Sequence, residues 1–382
     1  MTDTNNPNIE ELEDDIDIYE YPWNNEEEEI IIESFDPALI KVDTRPMTID
    51  LVLSRIEYEE LDLAPDFQRQ AGIWTQAAKS RLIESILIRI PLPAFYMDAT
   101  NEDKWLVIDG LQRLTAIKQF VIDGELKLKG LEFLAPLEGT TYKELPRNYK
   151  RRIQETLLTV YLIEKGTPPE VKFTIFRRIN RGGLPLSPQE LRHALNPGKA
   201  PKLLARLADS LEFKEATGIR DWRKKRMVDH EFALRFLSFN ITNYKDYNSK
   251  SLDVFLNQTM AEINQMEDAT IYLLEAKFKW AMVAAFELFG KSGFRKREKA
   301  NPEKKFSLNK ALFEALSFNL GQLDEKQLQT LKERKSYLQN KFIDMMENDE
   351  KFQNSISQGT STVSKVKYRF SAIENQILEM LC

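Results

Sequence analysis

The stretch Trp105–Val121 constrains the fold most, because it passes from a strand pattern to a helix pattern within a few residues. Residues 106–108 are apolar, as in a buried strand, and the Asp109-Gly110 pair after them is typical of a sharp turn. Leu114, Ile117 and Val121 then recur at the spacing of a helix face. The stretch therefore predicts a strand, a glycine corner and a helix.

The first turn of this predicted helix is a candidate anion site. Gln112 and Arg113 fall in that turn, where backbone N–H groups lack partners within the helix and the helix dipole is positive. The carboxylate of Asp109, just before the glycine, could hold a metal ion or a ribose hydroxyl. The same pattern also fits a plain strand, turn and helix, so the corner alone leaves both readings open.

Strands and helices both occur in the first half of the chain. Helix starts are indicated at Thr48, Thr75 and Ser187, each an N-cap residue ahead of an amphipathic stretch. Further helices are expected at 147–154 and 170–179, and strands at 61–63, 94–97, 106–108, 124–130 and 157–163.

The second half carries helical periodicity almost throughout. The helical stretches are 229–240, 252–265, 270–290, 308–319, 324–345 and 363–381. We therefore expect an α+β fold, in which a small mixed-sheet domain is followed by an all-helical domain. The predicted division is an acidic arm at 1–45, the α+β domain at 46–166 and the helical domain at 167–382.

Charge is distributed unevenly along the chain. Residues 1–45 hold 15 acidic and 2 basic residues, a balance of −13, whereas the whole chain has a net charge of −6. The remainder therefore carries +7, from 52 basic and 45 acidic residues. The arm is expected to be largely disordered, either as a solubilising segment or as a competitor of nucleic acid for a basic groove.

Cysteine usage and hydropathy indicate the compartment. The single cysteine, Cys382, allows no internal disulfide, and no apolar run reaches the length of a membrane span. The acidic N-terminus lacks the pattern of a secretory signal. We expect a cytoplasmic protein without a membrane partner.

Ordered motifs then point to a family. They are Phe67-Gln68-Arg69 with Trp74, residues 82–87 with Pro91-Leu92-Pro93, Ile108–Thr115, Phe176–Gly183 and Leu186–Arg192. In this order and spacing they resemble the ParB/sulfiredoxin-like module at the N-terminus of GmrSD-type, modification-dependent restriction endonucleases. The resemblance runs from about Met47 to Leu195. It implies nucleotide binding and hydrolysis coupled to DNA restriction and phage defence.

The resemblance assigns roles to the corner. The family signature is Asp-Gly-Gln-Gln-Arg, and this sequence has Leu111 at the first glutamine. Asp109, Gln112 and Arg113 become candidate catalytic residues, with Arg113 on phosphate and Asp109 on a divalent ion. The implied cofactors are a nucleoside triphosphate and Mg²⁺. The implied nucleotide-binding residues are Gln68, Arg69, Gly110, Arg177 and Asn180.

Two of these assignments have simple structural alternatives. Arg69 could bond to loop carbonyls, and Asn180 could be the left-handed C-cap of a helix. Both readings stay open at this point.

Nuclease chemistry has little support within this sequence. Enzymes of this type usually add an HNH module, yet His193 and His230 are the two histidines and neither lies in such a motif. With so few histidines and cysteines, a zinc site is also excluded. Basic clusters at 220–226 and 295–305 could contact DNA phosphates, or could be solvated surface.

Two functions from different classes therefore remain. The first is a nucleotide-binding, NTP-hydrolysing protein of the restriction or phage-defence type. The second is a non-catalytic nucleotide or DNA sensor that recruits a separate nuclease. A plain interaction protein with an inactive pocket is a third reading.

Overall fold

A five-stranded mixed sheet forms the first part of the fold. The structure, a computed structural model, describes residues 41–63, 74–179, 187–219, 227–249, 251–301, 304 and 306–381. The strands are β1 (Val42–Thr48), β2 (Leu61–Asp62), β3 (Phe95–Asp98), β4 (Trp105–Asp109) and β5 (Leu157–Ile163). Their order in the sheet is β1-β5-β3-β4-β2.

The sheet combines both kinds of strand pairing. β1 is antiparallel to β5 and β3 is antiparallel to β4, whereas β5 is parallel to β3 and β2 is parallel to β4. This confirms the predicted α+β class with a small mixed sheet. The sheet begins inside the segment assigned to the acidic arm, because Val42–Arg45 already pair with β5.

One predicted strand is wrong. Residues 124–130 alternate in burial, with Leu126 and Leu128 pointing into the core, but they form no strand. Their backbone is bonded partly by side chains of a neighbouring helix, since Gln76 donates to one carbonyl and Ser80 accepts from one amide. The alternation therefore predicted the buried residues correctly. It did not predict the backbone, which bonds partly to side chains of that helix instead of to a neighbouring strand.

Helices cover one face of the sheet. They are α1 (Ile49–Glu57), α2 (Gln76–Leu87), α3 (Leu111–Val121) and α4 (Arg147–Glu155), and together with that face they enclose one hydrophobic core. The predicted caps are confirmed, because the hydroxyl of Thr48 accepts from the Leu51 amide and that of Thr75 accepts from the Ala78 amide, both at 3.2 Å.

Two further helices pack on the opposite face. They are α5 (Pro169–Ile179) and α6 (Pro188–Leu195), and α6 begins with a capping box between Ser187 and Glu190. A small core joins them to the sheet and contains Ile108, Ile163, Phe173, Phe176 and Leu191. These helices therefore pack with the sheet although they follow residue 166.

The rest of the described chain is helical and has its own core. The helices are α7 (Lys199–Asp209), α8 (Leu211–Thr217), α9 (Val228–Ile241), α10 (Leu252–Gln265), α11 (Asp268–Phe289), α12 (Lys310–Leu320), α13 (Glu325–Glu333), α14 (Lys335–Asn348), α15 (Glu350–Ser355) and α16 (Val363–Leu381). One hydrophobic cluster runs through them from Ala200 to Met380. The single helix expected at 324–345 is two, α13 and α14. None of the helices in the described residues is long and apolar enough to cross a membrane.

Candidate functional site

The corner between β4 and α3 is built around a glycine in a left-handed conformation. Gly110 has φ = +100° and is the N-cap residue of α3. A Cβ at this position would lie 2.3 Å from Cδ1 of Phe95, which is closer than real contacts allow. Because glycine alone combines this φ with this approach, it fixes Asp109 at the end of the strand and starts the helix directly after it.

Arg113 braces this corner from within the first turn of α3. Its guanidinium donates to the Asp109 carboxylate at 2.8 Å, to the Ala94 carbonyl at 3.0 Å and to the Pro93 carbonyl. It also lies over the Phe95 ring, 4.2 Å from the centroid. These contacts tie the segment before β3 to the start of α3, so that Arg113 positions the corner as well as charging it.

At the corner, burial affects the pKa of Asp109 and that of Arg113 more strongly than their ion pair does. Burial raises the pKa of the Asp109 carboxyl above its ordinary value, and the opposing effects of Arg113 and the Gly110 amide do not cancel that rise. Burial also lowers the pKa of Arg113, although Asp109 acts in the opposite sense. A carboxyl group whose pKa is shifted by burial beside a charged partner is typical of functional sites.

A β-bulge turns Asp109 away from the core. Tyr96 pairs with Asp109 and Met97 pairs with Val107, so Ile108 is an extra residue in β4. Without it, strand alternation would send Asp109 to the core face together with Val107. The bulge instead places Asp109 in one row with Tyr96, and Tyr96 pairs on its other side with Tyr161 of β5.

The tyrosines of this row were not predicted as site residues. Their rings are stacked, with centroids 4.9 Å apart and planes 17° from parallel. The alternation of residues in β3 and β5 predicts only that both tyrosines lie on the face opposite the core. The pairing itself depends on a register between strands that lie about sixty residues apart in sequence.

The predicted nucleotide-binding residues are brought together in part. Gly110 lies in the corner, and Gln112 follows it in the first turn of α3. Gln68, Arg69 and Asn180 lie outside the described residues. The structure leaves their predicted roles as predictions.

Arg177 contacts a residue that the sequence did not single out. Its guanidinium pairs with the Asp253 carboxylate of α10 at 2.7 Å. Arg192 of α6, which is fully buried, pairs with the other oxygen of the same carboxylate. Asp253 therefore joins the helices on both sides of residues 180–186 to the helical half. The contact seen for Arg177 is this ion pair, rather than one with Asp109 or Arg113.

The two histidines lie side by side between the sheet part and the helical half. The rings of His193 and His230 have centroids 6.0 Å apart. Burial lowers the pKa of His230 to about 4, although the charge of Asp209 opposes this shift. Among the described residues, no group of three or more His, Cys, Asp or Glu side chains could hold a metal ion.

Several members of the basic cluster at 295–305 make contacts within the protein, and two of them are ion pairs. Arg295 bonds to the carbonyls of Thr217 and Phe306, Lys296 to Ser357, Lys299 to Asp344 and Lys304 to Glu298. These contacts favour a structural role for the cluster over a DNA-contacting surface. Residues 220–226 lie outside the described part of the chain.

Comparison with protein families identifies the first part of the chain. Residues 50–196 match the model of the GmrSD restriction endonuclease, N-terminal domain. These residues run from α1 to just past α6, and they coincide closely with the segment on which the motif resemblance rests. The chain thus contains a GmrSD N-terminal module, which indicates a protein of the restriction or phage-defence type. No curated protein matches the sequence.

Proposed function

We propose that the β4–α3 corner binds the phosphates of a nucleoside triphosphate and that the module hydrolyses it. The observation that carries the proposal is the glycine-fixed start of α3. It places Gln112 and Arg113 in the first turn of α3, directly after the strand that ends in Asp109, and Arg113 donates to the Asp109 carboxylate. This arrangement combines a positive helix end, an arginine and an acid, as phosphate chemistry requires.

The helix end supplies the main anion contacts in this proposal. The first bond within α3 runs from the Leu114 amide to the Gly110 carbonyl at 2.9 Å, so the preceding amides point out of the helix end. Arg113 has five N–H donors, and three of them make the contacts to Asp109, Ala94 and Pro93. Its role is first to hold the corner in shape, and its charge adds to the potential at the helix end.

Asp109 fits a Mg²⁺ ion that arrives with the nucleotide. Mg²⁺ is commonly held by one or two carboxylates together with phosphate oxygens and water. In this proposal, phosphate oxygens of the nucleotide and water supply the rest of the coordination. The bound ion would neutralise phosphate charge, while Asp109 and Gln112 would orient the attacking water. The motif residues Gln68, Arg69 and Asn180, which lie outside the described residues, are proposed to complete the nucleotide site together with Arg177.

The second candidate is a nucleotide or DNA sensor without hydrolysis, acting with a separate nuclease. Two observations favour it. Asp109 is already paired with Arg113, which competes with a metal ion, and Leu111 replaces a glutamine of the family signature. In this reading the corner would bind the nucleotide and transmit its presence, and DNA contacts and a nuclease partner would complete the system. The single cysteine accords with a cytoplasmic setting.

Phosphate release separates the two candidates. The assay uses each of the four NTPs with Mg²⁺ and compares wild type with Arg113→Ala and Gln112→Ala. Gln112 is included because the contacts of Arg113 with Asp109, Ala94 and Pro93 do not involve it. Arg151→Ala is the matched control, because that side chain is exposed and lies on α4. Hydrolysis lost in both corner variants and kept in the control supports the enzyme, and equal rates in all four proteins would remove it.

Thermal stabilisation by nucleotide then tests the sensor. A ligand that binds only the folded state must raise the melting temperature, by an amount that grows with ligand concentration relative to Kd. A rise in wild type that is lost in Gln112→Ala, without phosphate release, identifies the sensor. No rise with any NTP would contradict nucleotide binding in both candidates and leave a DNA sensor or an inactive pocket.

A further inference from the structure

A row of three side chains crosses the middle of the sheet on the face away from the main core. Asp109 of β4 pairs with Tyr96 of β3, which pairs with Tyr161 of β5. Neighbouring strands lie about 4.8 Å apart, so the first ring is one strand from the carboxylate and the second is two. The row therefore leads directly from the anion site to an aromatic pair.

The two rings are accessible, unlike the aromatic residues of the opposite face. Tyr96 and Tyr161 are both partly exposed, whereas Phe95, beside Tyr96 in β3, is fully buried. The neighbours Thr44 of β1 and Thr159 of β5 are exposed as well. The helices α5 and α6 pack on this face around Ile108 and Ile163, and both tyrosines keep part of their surface exposed.

We propose that Tyr96 and Tyr161 form a stacking platform for a nucleobase whose phosphates lie at the Asp109–Arg113 corner. Every base presents a π-face, and exposed aromatic side chains on a sheet surface bind bases by stacking on it. A single nucleotide spans the separation between the corner and the rings, with its sugar over the row. The inference rests on the proposed function, because the corner supplies the phosphate end.

The geometry of the pair fits this role. The rings are stacked nearly parallel, so a base extends an existing stack instead of requiring new ring orientations. The pKa of the Tyr96 hydroxyl is raised by burial, and next by Tyr161 and Asp109, which places that hydroxyl within the field of the site carboxylate. A cross-strand aromatic pair also stabilises a sheet, and the experiment must separate the two roles.

Titration with and without a base provides that separation. The probes are ATP, CTP, GTP and UTP, each with Mg²⁺, and inorganic triphosphate, which has no base. Tyr161→Leu removes the ring and keeps an apolar side chain, while Tyr161→Phe keeps the ring. We expect Tyr161→Leu to weaken NTP binding by roughly 5- to 100-fold, to leave triphosphate binding unchanged, and to be rescued in Tyr161→Phe.

Two results would overturn the platform. One is equal weakening of NTP and triphosphate binding in Tyr161→Leu, which marks a structural effect on the corner. The other is unchanged NTP binding. Tyr58→Leu is the matched control, because Tyr58 is 77% exposed and lies at the end of α1. Thermal melts of all variants verify that the sheet is intact.

Binding of a single-stranded oligothymidine tests the platform separately from the proposed function, because this probe supplies bases without an NTP. If wild type binds neither NTP nor triphosphate, the proposed function fails. Weaker oligothymidine binding in Tyr161→Leu, restored in Tyr161→Phe, would then show that the platform takes a base of a nucleic-acid strand. If no probe depends on the ring, the platform is wrong, whichever phosphate ligand binds.

Discussion

Two arginine–carboxylate sites of the molecule differ in their electrostatic surroundings. At the β4–α3 corner, Asp109 and Arg113 are 2.8 Å apart, with side chains 24% and 11% exposed. In the helical half, Glu314 is fully buried between Arg235 at 3.0 Å and Arg369. Arg235 also pairs with Glu231. The helical half thus holds a closed network, and the corner holds one pair at an open helix end.

The pKa of Asp109 and that of Glu231, a member of the closed network, shift in opposite directions. Burial would raise the pKa of Glu231, but Lys310, Arg235 and Arg192 outweigh it and hold that pKa well below its usual range. Burial of Asp109 prevails over the single Arg113, so its pKa is raised. Several cations offset the desolvation of a buried carboxylate, which then has a structural role. A single cation offsets less of it, so the carboxylate is available to a ligand.

The largest expected effect comes from breaking the closed network. Glu314→Gln leaves the Arg235 and Arg369 charges without their shared carboxylate, and we expect a loss of about 3–5 kcal/mol in unfolding free energy. Urea unfolding followed by circular dichroism measures it. The control is Glu298→Gln, since Glu298 pairs with Lys304 at the surface and its loss should cost at most about 1 kcal/mol. Equal costs for both variants would contradict the distinction.

His230 extends the comparison to a partly buried histidine. Burial lowers its pKa from 6.5 to about 4. The unfolded chain therefore binds more protons between these values, and stability that is full above pH 6.5 is lost as pH falls toward 4. The loss amounts to at most roughly 3 kcal/mol. Melts across this window should show a flatter profile for His230→Gln than for wild type, and identical profiles would contradict the assignment.

The glycine of the corner should be irreplaceable for steric as well as backbone reasons. Gly110→Ala places a Cβ 2.3 Å from Phe95 at φ = +100°, and we expect a cost of about 1–3 kcal/mol with loss of nucleotide binding. Gly124→Ala is the matched control, because Gly124 also has positive φ (+67°) but nothing lies within 4 Å of the added Cβ. Thermal melts of the two variants isolate the contact with Phe95, and equal costs would show that backbone strain alone accounts for the effect.

Local features of this fold could be predicted from sequence, because their causes lie within a few residues. The caps at Thr48, Thr75 and Ser187 were correct since each hydroxyl bonds to an amide three residues on. The β4–α3 corner was correct for the same reason, because Asp109 and Gly110 are adjacent to the helix that they start.

Features that depend on distant partners could not be predicted. Arg113 braces carbonyls about twenty residues earlier, and Arg177 pairs with Asp253, which is 76 residues later. The bulge at Ile108, which brings Asp109 into one row with Tyr96, depends on strand register. None of these has a local pattern, because each arises from how the strands and helices pack.

The smallest expected effect on stability belongs to Asp109→Asn, and it tests the comparison most directly. Because burial raises the Asp109 pKa, ionisation costs stability as pH rises from 3.8 through the folded pKa. Asparagine removes that cost and still accepts a bond from Arg113, so the unfolding free energy at pH 7 should change by less than about 1 kcal/mol. Relative to wild type, the variant should gain stability as pH rises through this window.

Nucleotide-dependent thermal stabilisation with Mg²⁺ should nevertheless be lost in Asp109→Asn. A loss of stability as large as that of Glu314→Gln would show that Asp109 is a structural charge like those of the helical half, and would remove the physical basis for treating the corner as a site.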